Sequence, residues 1–91
     1  MKISAATRVF AVIGNPVSHS LSPLMHNGWL ADQRIDAVYI ALPLQSDDPV
    51  AAIRALGQFG FSGANVTTPY KEAAAKAADA ADDVVANTLR W

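Results

Sequence analysis

The chain has 91 residues, of which 52% are hydrophobic and 16% are charged, and seven basic against eight acidic side chains give a formal net charge of −1. Because a near-neutral chain lacks the basic excess that drives binding to phosphate backbones, a nucleic-acid partner is not expected. The absence of cysteine excludes disulfide scaffolds, thiol catalysis and cysteine-ligated zinc, and no apolar run reaches the length of about 18 residues that a membrane span needs.

The first predicted unit is a strand followed by a helix. Residues 9–13 are apolar without interruption, which is typical of a strand buried on both faces of a parallel sheet. Ser22 and Pro23 predict the start of the helix, because serine is a preferred N-cap and proline is favoured in the first turn. Four residues recur at helical spacing and predict the face that this helix buries: Leu24, Met25, Gly28 and Trp29.

The second predicted unit repeats this pattern. Residues 37–42 form an apolar strand that ends before a proline. Asp48 and Pro49 repeat the combination of a capping side chain and a proline, which predicts the start of a second helix. Either Gly57 or Gly60 is expected to end that helix, because glycine is favoured just beyond a helix C-terminus.

The third unit and a fourth strand complete the predicted domain, which covers residues 1–91. Residues 61–66 form the third strand, Thr68 and Pro69 open an alanine-rich third helix, and residues 87–91 form the fourth strand. Strands that alternate with helices of about ten residues predict right-handed crossovers. We therefore predict an α/β fold, a three-layer, open, mainly parallel sheet with helices on both faces, in the order βαβαβα and then a fourth strand.

The two ends of the chain lead to two expectations. The first residues lack the apolar segment of a signal peptide, so we expect a cytoplasmic protein. Trp91, the last residue, lies inside a predicted strand, whereas domains usually end in a polar, loosely held tail. We therefore expect this chain to be the front part of a longer protein, and the alternative is that Trp91 packs on its own domain.

Three polar segments lie at or near strand ends: residues 14–23, 65–71 and 87–88. Because ligands of open parallel sheets bind beyond the carboxyl ends of the strands, these segments are expected to meet at one edge. Ser20 and Ser22 are alternate residues beside a helix N-terminus, which favours a carboxylate or a phosphate. The alternative is that Ser22 only caps its helix and Ser20 only makes a turn.

Lys71 stands where a positive charge is unfavourable. If Thr68 is the N-cap, Lys71 occupies the third helical position, where the helix dipole costs a cation about 0.3–1 kcal/mol. A lysine at a ligand site can donate a proton to a carbonyl oxygen or stabilise a developing alkoxide. The alternative is a solvated surface lysine without a chemical role.

The sequence predicts neither a metal site nor a phosphate loop. His19 and His26 do not have the i, i+4 spacing of a helical ligand pair, and no cluster of carboxylates accompanies them. The patterns G-x-G-x-x-G and G-x-x-x-x-G-K-[ST] are both absent, so the chain carries neither common loop for nucleotide phosphates.

Two segments resemble the signatures of one known family. Residues 13–27, Ile-Gly-Asn-Pro-Val-Ser-His-Ser-Leu-Ser-Pro-Leu-Met-His-Asn, resemble the N-terminal signature of the shikimate dehydrogenase family, and residues 63–72, Gly-Ala-Asn-Val-Thr-Thr-Pro-Tyr-Lys-Glu, resemble its second signature. The resemblance covers nearly the whole chain and implies the substrate-binding domain. The reaction that it implies is the reversible, NADPH-dependent reduction of 3-dehydroshikimate to shikimate, a step in aromatic amino-acid biosynthesis.

The resemblance also implies roles for individual residues. Ser20 and Ser22 would hold the substrate carboxylate, and Thr67 would bind a ring hydroxyl. Lys71 would be the catalytic residue, and Asn87 would contact the hydroxyls near the reacting carbon. These neutral hydroxyl and amide groups, with one lysine to handle a proton, suit a hydroxylated acid that is reduced by hydride transfer.

Some parts of the family pattern are absent or altered. The catalytic aspartate and the NADP-binding domain with its glycine-rich loop are expected beyond Trp91, so the 91 residues alone are expected to be inactive. Residues 84–88 are Val-Val-Ala-Asn-Thr, where the family usually has Gly-Ala-Val-Asn-Thr, which leaves the placement of Asn87 open. Asn65 is expected to order its loop rather than to bind substrate.

Two other functions remain open at this point. A quinate or quinate/shikimate dehydrogenase carries the same motifs and differs only in its tolerance for one more ring hydroxyl. A non-catalytic small-molecule-binding or assembly module could use the same scaffold without chemistry. The sequence does not determine the oligomeric state, and a homodimer of the longer protein is compatible with the resemblance.

Overall fold

Three helices and five strands make up the part of the chain that this computed structural model describes, namely residues 2–78, the backbone of 83–85, and residues 88–91. In chain order they are β1 (Arg8–Gly14), α1 (Ser22–Asp32), β2 (Ala37–Pro43), α2 (Pro49–Gln58), β3 (Gly63–Val66), α3 (Lys71–Ala77), β4 (Asp83–Val85) and β5 (Thr88–Arg90). The three predicted strand-then-helix units are therefore confirmed. None of the three helices described has the length and apolarity that a membrane span requires.

The strands form one open sheet in the order β2-β1-β3-β5-β4. The central strand β1 pairs in parallel with β2 on one side and with β3 on the other, so that Ile13 lies between Leu42 and Val66. These parallel pairings and the open sheet agree with the predicted fold class. The carboxyl ends of β1, β2 and β3 consequently lie together at one edge of the sheet.

The far side of the sheet differs from the prediction in two ways. The fourth predicted strand is present as β5, but it runs antiparallel to β3, with Asn65 opposite Thr88. A further strand, β4, was not predicted; it pairs antiparallel with β5, so that Val85 lies opposite Thr88. Because a short connection can join only antiparallel neighbours, two strands this close in sequence cannot continue the parallel order.

The strands bury side chains on both faces of the sheet, because neighbouring residues of a strand point in opposite directions. Ala11 and Ile13 of β1 pack with Ile53 of α2 and with the buried alanines of α3. Val12 points to the other face, where it packs with Leu30 of α1. The prediction of helices on both faces is confirmed, with α2 and α3 on one face and α1 on the other.

The start and end of α2 follow the predicted signals. The side chain of Asp48 is the N-cap and accepts a hydrogen bond from the backbone N–H of Ala51 at 3.1 Å. The helix ends at Gln58, and Gly60 then adopts a φ of +82°, a conformation that glycine enters without the steric penalty of a Cβ atom. Of the two glycines considered, Gly60 therefore ends this unit.

The other two helix starts differ from the prediction. In α1 the N-cap is Leu21, and Ser22 is already the first helical residue, because the backbone N–H of Met25 bonds to the carbonyl of Leu21 at 3.1 Å. In α3 the N-cap is Tyr70, and neither α1 nor α3 has a capping hydrogen bond from a side chain. Lys71 therefore occupies the first helical position, not the third.

The predicted buried face of α1 is wrong. All four of its residues are exposed, and the three large side chains are Leu24 at 76%, Met25 at 70% and Trp29 at 57%. The orientation of the helix is set instead by Asn27, whose side chain bonds to both the N–H and the carbonyl of Tyr39 at 2.8 Å each. Leu30 lies one turn further along the same side of the helix and is buried against the sheet.

Trp91 packs on its own domain. It is half-buried, and a Cβ atom added to Gly57 of α2 would overlap its indole ring. Its backbone N–H also bonds to the carbonyl of Ser62 at 3.0 Å. Trp91 therefore contacts both α2 and the residue before β3, and these contacts are compatible with either expectation for the end of the chain.

Candidate functional site

The loops that follow β1 and β3 touch each other at the carboxyl edge of the sheet. The backbone N–H of Thr67 donates to the carbonyl of Ile13 at 2.8 Å, and that of Asn15 donates to the carbonyl of Thr68 at 3.3 Å. A Cβ atom at Gly14 would lie 2.5 Å from Cγ2 of Thr67, so the approach requires glycine. Two of the three predicted polar segments, 14–23 and 65–71, therefore meet as expected.

A single backbone carbonyl holds both loops. The carbonyl of Leu44, just beyond β2, accepts a hydrogen bond from Nδ2 of Asn15 at 3.2 Å and one from the hydroxyl of Tyr70 at 2.8 Å. The N–H of Leu44 in turn donates to the carbonyl of Gly14 at 3.0 Å. Tyr70 directly precedes Lys71, so this network also fixes the start of α3.

The two serines stand together at the N-terminus of α1. The hydroxyl oxygen of Ser20 accepts a hydrogen bond from the backbone N–H of Ser22 at 3.2 Å, which leaves the hydroxyl proton of Ser20 for a ligand. Both side chains are half-buried, and the first turn of the helix carries no acidic residue. Free N–H groups and the positive end of the helix dipole favour an anionic oxygen at this position.

Tyr39 of β2 contacts the second of these serines, Ser22, and was not predicted as a site residue. Its side chain is 5% exposed, and the imidazole of His26 stacks on its ring with centroids 4.3 Å apart and planes 12° apart. Burial raises the pKa of the Tyr39 hydroxyl above its ordinary value, and a hydrogen bond with the Ser22 hydroxyl offsets part of that rise.

A chain of hydrogen bonds leads from Tyr39 across the sheet. The hydroxyl of Tyr39 donates to Oδ1 of Asn65 at 2.7 Å, and Nδ2 of Asn65 donates to the hydroxyl of Thr88 at 2.8 Å. Asn65 therefore bonds to side chains of β2 and β5 from its place on β3. The only sequence signal for Tyr39 was a single hydroxyl within an otherwise apolar strand.

The remaining predicted site residues lie at the same edge, with one exception. Thr67 is half-buried between the loops, and Lys71 opens α3 with an exposed side chain. Asn87 lies outside the described residues, although its neighbour Thr88 is part of the hydrogen-bond chain from Tyr39. Among the residues described, no three potential metal ligands come together.

Residues 12–88 match the family described as the shikimate dehydrogenase substrate binding domain. The chain belongs to this family. It is 46% identical over 83 residues to the NADP(+) shikimate dehydrogenase of Acidiphilium cryptum, a match that covers 91% of this chain and 30% of that protein. It is 45% identical over 86 residues to the corresponding enzyme of Moorella thermoacetica, covering 94% of this chain and 29% of that protein.

Solved structures of shikimate dehydrogenases share the fold. One, in complex with NADP+, superimposes with a TM-score of 0.80 at 37% identity and covers 86% of this chain and 27% of that chain. The enzyme of Thermus thermophilus, in complex with NADP(H) and shikimate, gives a TM-score of 0.71 at 36% identity and covers 80% of this chain and 28% of that one. The chain therefore spans less than a third of the length of these relatives.

Within this shikimate dehydrogenase domain, the donors at the sheet edge have a common character. Ser20, Ser22, Thr67 and Asn65 offer neutral hydroxyl and amide groups, and Lys71 adds one positive charge. Neutral donors recognise ring hydroxyls, while the helix N-terminus and the lysine can each interact with an anionic or polarised oxygen. The family resemblance predicted from the two signatures is confirmed by the family match over residues 12–88.

Proposed function

We propose that this chain binds shikimate and 3-dehydroshikimate as the substrate-binding domain, residues 1–91, of an NADP-dependent shikimate dehydrogenase. The observation that supports this best is the contact between the loops after β1 and β3, which brings the serine pair and the Thr67–Lys71 segment to one edge. A cytoplasmic location and a homodimeric longer protein stay predictions.

The proposed contacts follow from the chemistry of each group. Ser20 and Ser22 bind the substrate carboxylate, because their hydroxyls stand at the positive end of α1. Thr67 binds a ring hydroxyl from the adjoining loop, and Asn87 is assigned to the hydroxyls near the reacting carbon. Apart from its carboxylate, the substrate carries only neutral groups on its ring, so no acidic side chain of the protein is needed to bind them.

Lys71 is the proposed proton donor. Its ammonium group protonates the carbonyl oxygen of 3-dehydroshikimate as the carbon is reduced, so that a hydroxyl forms instead of an alkoxide. NADPH supplies the hydride. We assign its binding mainly to a domain that is not present in these 91 residues, which carry neither common glycine-rich phosphate pattern.

Binding is tested by titrating the isotope-labelled chain with shikimate while its backbone amide signals are followed. We expect shifts concentrated in residues 14–23, 65–71 and 87–88. Ser20→Ala should weaken binding, whereas Ser18→Ala, an exposed serine of the same loop, should not. Unchanged signals at a large excess of shikimate would contradict the proposal, and tighter binding of quinate would favour a quinate dehydrogenase.

The role of Lys71 is tested in the longer protein that carries this domain. Lys71→Ala should lower kcat far more than it weakens substrate affinity, while Ser20→Ala should act mainly on affinity. Because Lys71 is exposed at a helix N-terminus, its loss should not destabilise the fold. Equal losses of turnover and affinity for Lys71→Ala would exclude it as the proton donor, and a non-catalytic module would show no turnover at all.

A further inference from the structure

We propose that Tyr39 is a positioning residue that fixes which atom of the Asn65 side-chain amide faces each neighbour, and so presents an N–H of Asn65 to the substrate. This inference rests on the proposed function for its effect on binding. The orientation of the Asn65 amide is a property of the ligand-free chain and does not depend on the proposed function.

The orientation follows from the two contacts that the amide makes. A tyrosine hydroxyl has one proton, and that of Tyr39 is donated to Oδ1 of Asn65 at 2.7 Å. The amide nitrogen must then face the opposite side, where one of its two N–H groups donates to Thr88 at 2.8 Å. The second N–H is left over, so Asn65 acts at this edge as a donor and not as an acceptor.

Tyr39 is itself held firmly, which is what a positioning residue needs. Asn27 bonds to both backbone groups of Tyr39, and the ring of His26 covers its face. The residue is 5% exposed, so close packing holds its ring in place. The bonds from α1 thus reach Asn65 through one rigid aromatic side chain.

The location of Asn65 explains why the orientation of its amide matters for ligand binding. Asn65 and Tyr39 line the same small cavity on the α1 face of the sheet, and Asn65 lies two residues before Thr67. A neutral N–H donor there suits a hydroxyl or carbonyl oxygen of a ring, whereas a reversed amide would present a carbonyl instead. Tyr39 therefore contributes to recognition without touching the substrate.

A matched pair of variants tests the orientation by nuclear magnetic resonance of the ligand-free chain. Tyr39→Phe removes a bond to the amide oxygen, so the Asn65 13Cγ signal should shift while the side-chain N–H signals change little. Thr88→Val removes a bond from the amide nitrogen, so the N–H signals should shift and 13Cγ should change little. The opposite pattern, or no change in either variant, would overturn the proposal.

Two controls separate this effect from a general loss of structure. Tyr70→Phe also removes a tyrosine hydroxyl bond at the loops, yet it should leave both Asn65 signals in place. If Tyr39→Phe does not fold, the 13Cγ signal of Asn65 in the unaltered chain should follow the alkaline ionisation of Tyr39. A signal that stays constant through that ionisation would contradict the proposed bond.

Shikimate affinity then distinguishes the two proposals. If the unaltered chain binds shikimate, Tyr39→Phe should weaken binding by about tenfold. This is the effect expected when the donor of one hydrogen bond to the ligand is no longer held in position before binding. Equal affinity of the two chains would overturn the role of Tyr39 in recognition. If the unaltered chain does not bind shikimate, the proposed function fails, while the 13Cγ and N–H signals still decide the orientation of Asn65.

Discussion

At the scale of single residues, Tyr39 combines a buried hydroxyl with three different kinds of contact. Its backbone is bonded by Asn27, its ring is stacked by His26, and its hydroxyl donates to Asn65. Ionisation of the hydroxyl would remove the donated proton and place a charge on a side chain that is largely removed from solvent. The protonated form is therefore the one that the fold stabilises.

This preference predicts a dependence of stability on alkaline pH. Because burial raises the pKa of Tyr39 in the folded chain, its contribution is fully present below the ordinary tyrosine value of about 10 and is lost as the pH rises through the raised value. The free energy of unfolding in urea, measured for the unaltered chain and for Tyr39→Phe, should therefore differ less above pH 10 than at pH 8. A difference that stays constant would show that Tyr39 has the same pKa in both states.

Residues of the site differ in how far the sequence could identify them. Ser20, Ser22 and Thr67 follow predicted strands, so the rule that ligands bind at strand ends was enough to bring their loops together. Tyr39 lies within a strand, and its role depends on a bond to Asn65, 26 residues away. Local patterns carry no information on such a contact, because it requires both the strand order and the direction in which each side chain points.

At the scale of elements, α1 shows why helical spacing alone is not a reliable guide to burial. Leu24, Met25 and Trp29 form an apolar stripe, yet the side of α1 that faces the sheet carries Asn27 and Leu30. Two hydrogen bonds from Asn27 to a buried strand fix the rotation of the helix. The side of α1 that faces the sheet is thus determined by a polar side chain with two hydrogen-bond partners and not by the stripe of larger apolar side chains. A count of apolar residues does not reveal this.

Two helical glycines predict opposite effects of the same substitution. Gly57 of α2 faces Trp91, and an added Cβ would overlap the indole, whereas nothing lies within 4 Å of a Cβ at Gly28 of α1. Gly28→Ala should raise the free energy of unfolding by about 0.5–1 kcal/mol through helix propensity. Gly57→Ala should lower it despite the same gain, as urea titrations of both variants would measure. Stabilisation by both would mean that Trp91 does not pack on α2.

At the scale of the whole molecule, the parallel part of the sheet was predictable and its antiparallel edge was not. Each parallel strand is followed by a helix with recognisable start or end signals, so alternation predicts that these strands run in the same direction, although it does not give their order in the sheet. The two antiparallel strands β4 and β5 have three residues each, too few for a pattern of alternation. The short connection between them makes them antiparallel to each other, but only a single strand was predicted there.

The two tryptophans test whether the layers on opposite faces of the sheet unfold together. Trp29 is on α1, and Trp91 packs against α2 on the other face, while β1 contributes side chains to both cores. Because β1 and β2 each contribute side chains to the cores on both faces, we expect one cooperative transition. Fluorescence of Trp29→Phe reports on Trp91, and fluorescence of Trp91→Phe reports on Trp29. For each variant, the urea midpoint measured by fluorescence is compared with the midpoint measured by circular dichroism. We expect the two midpoints to coincide. Separate midpoints would show that α1 unfolds independently of the rest.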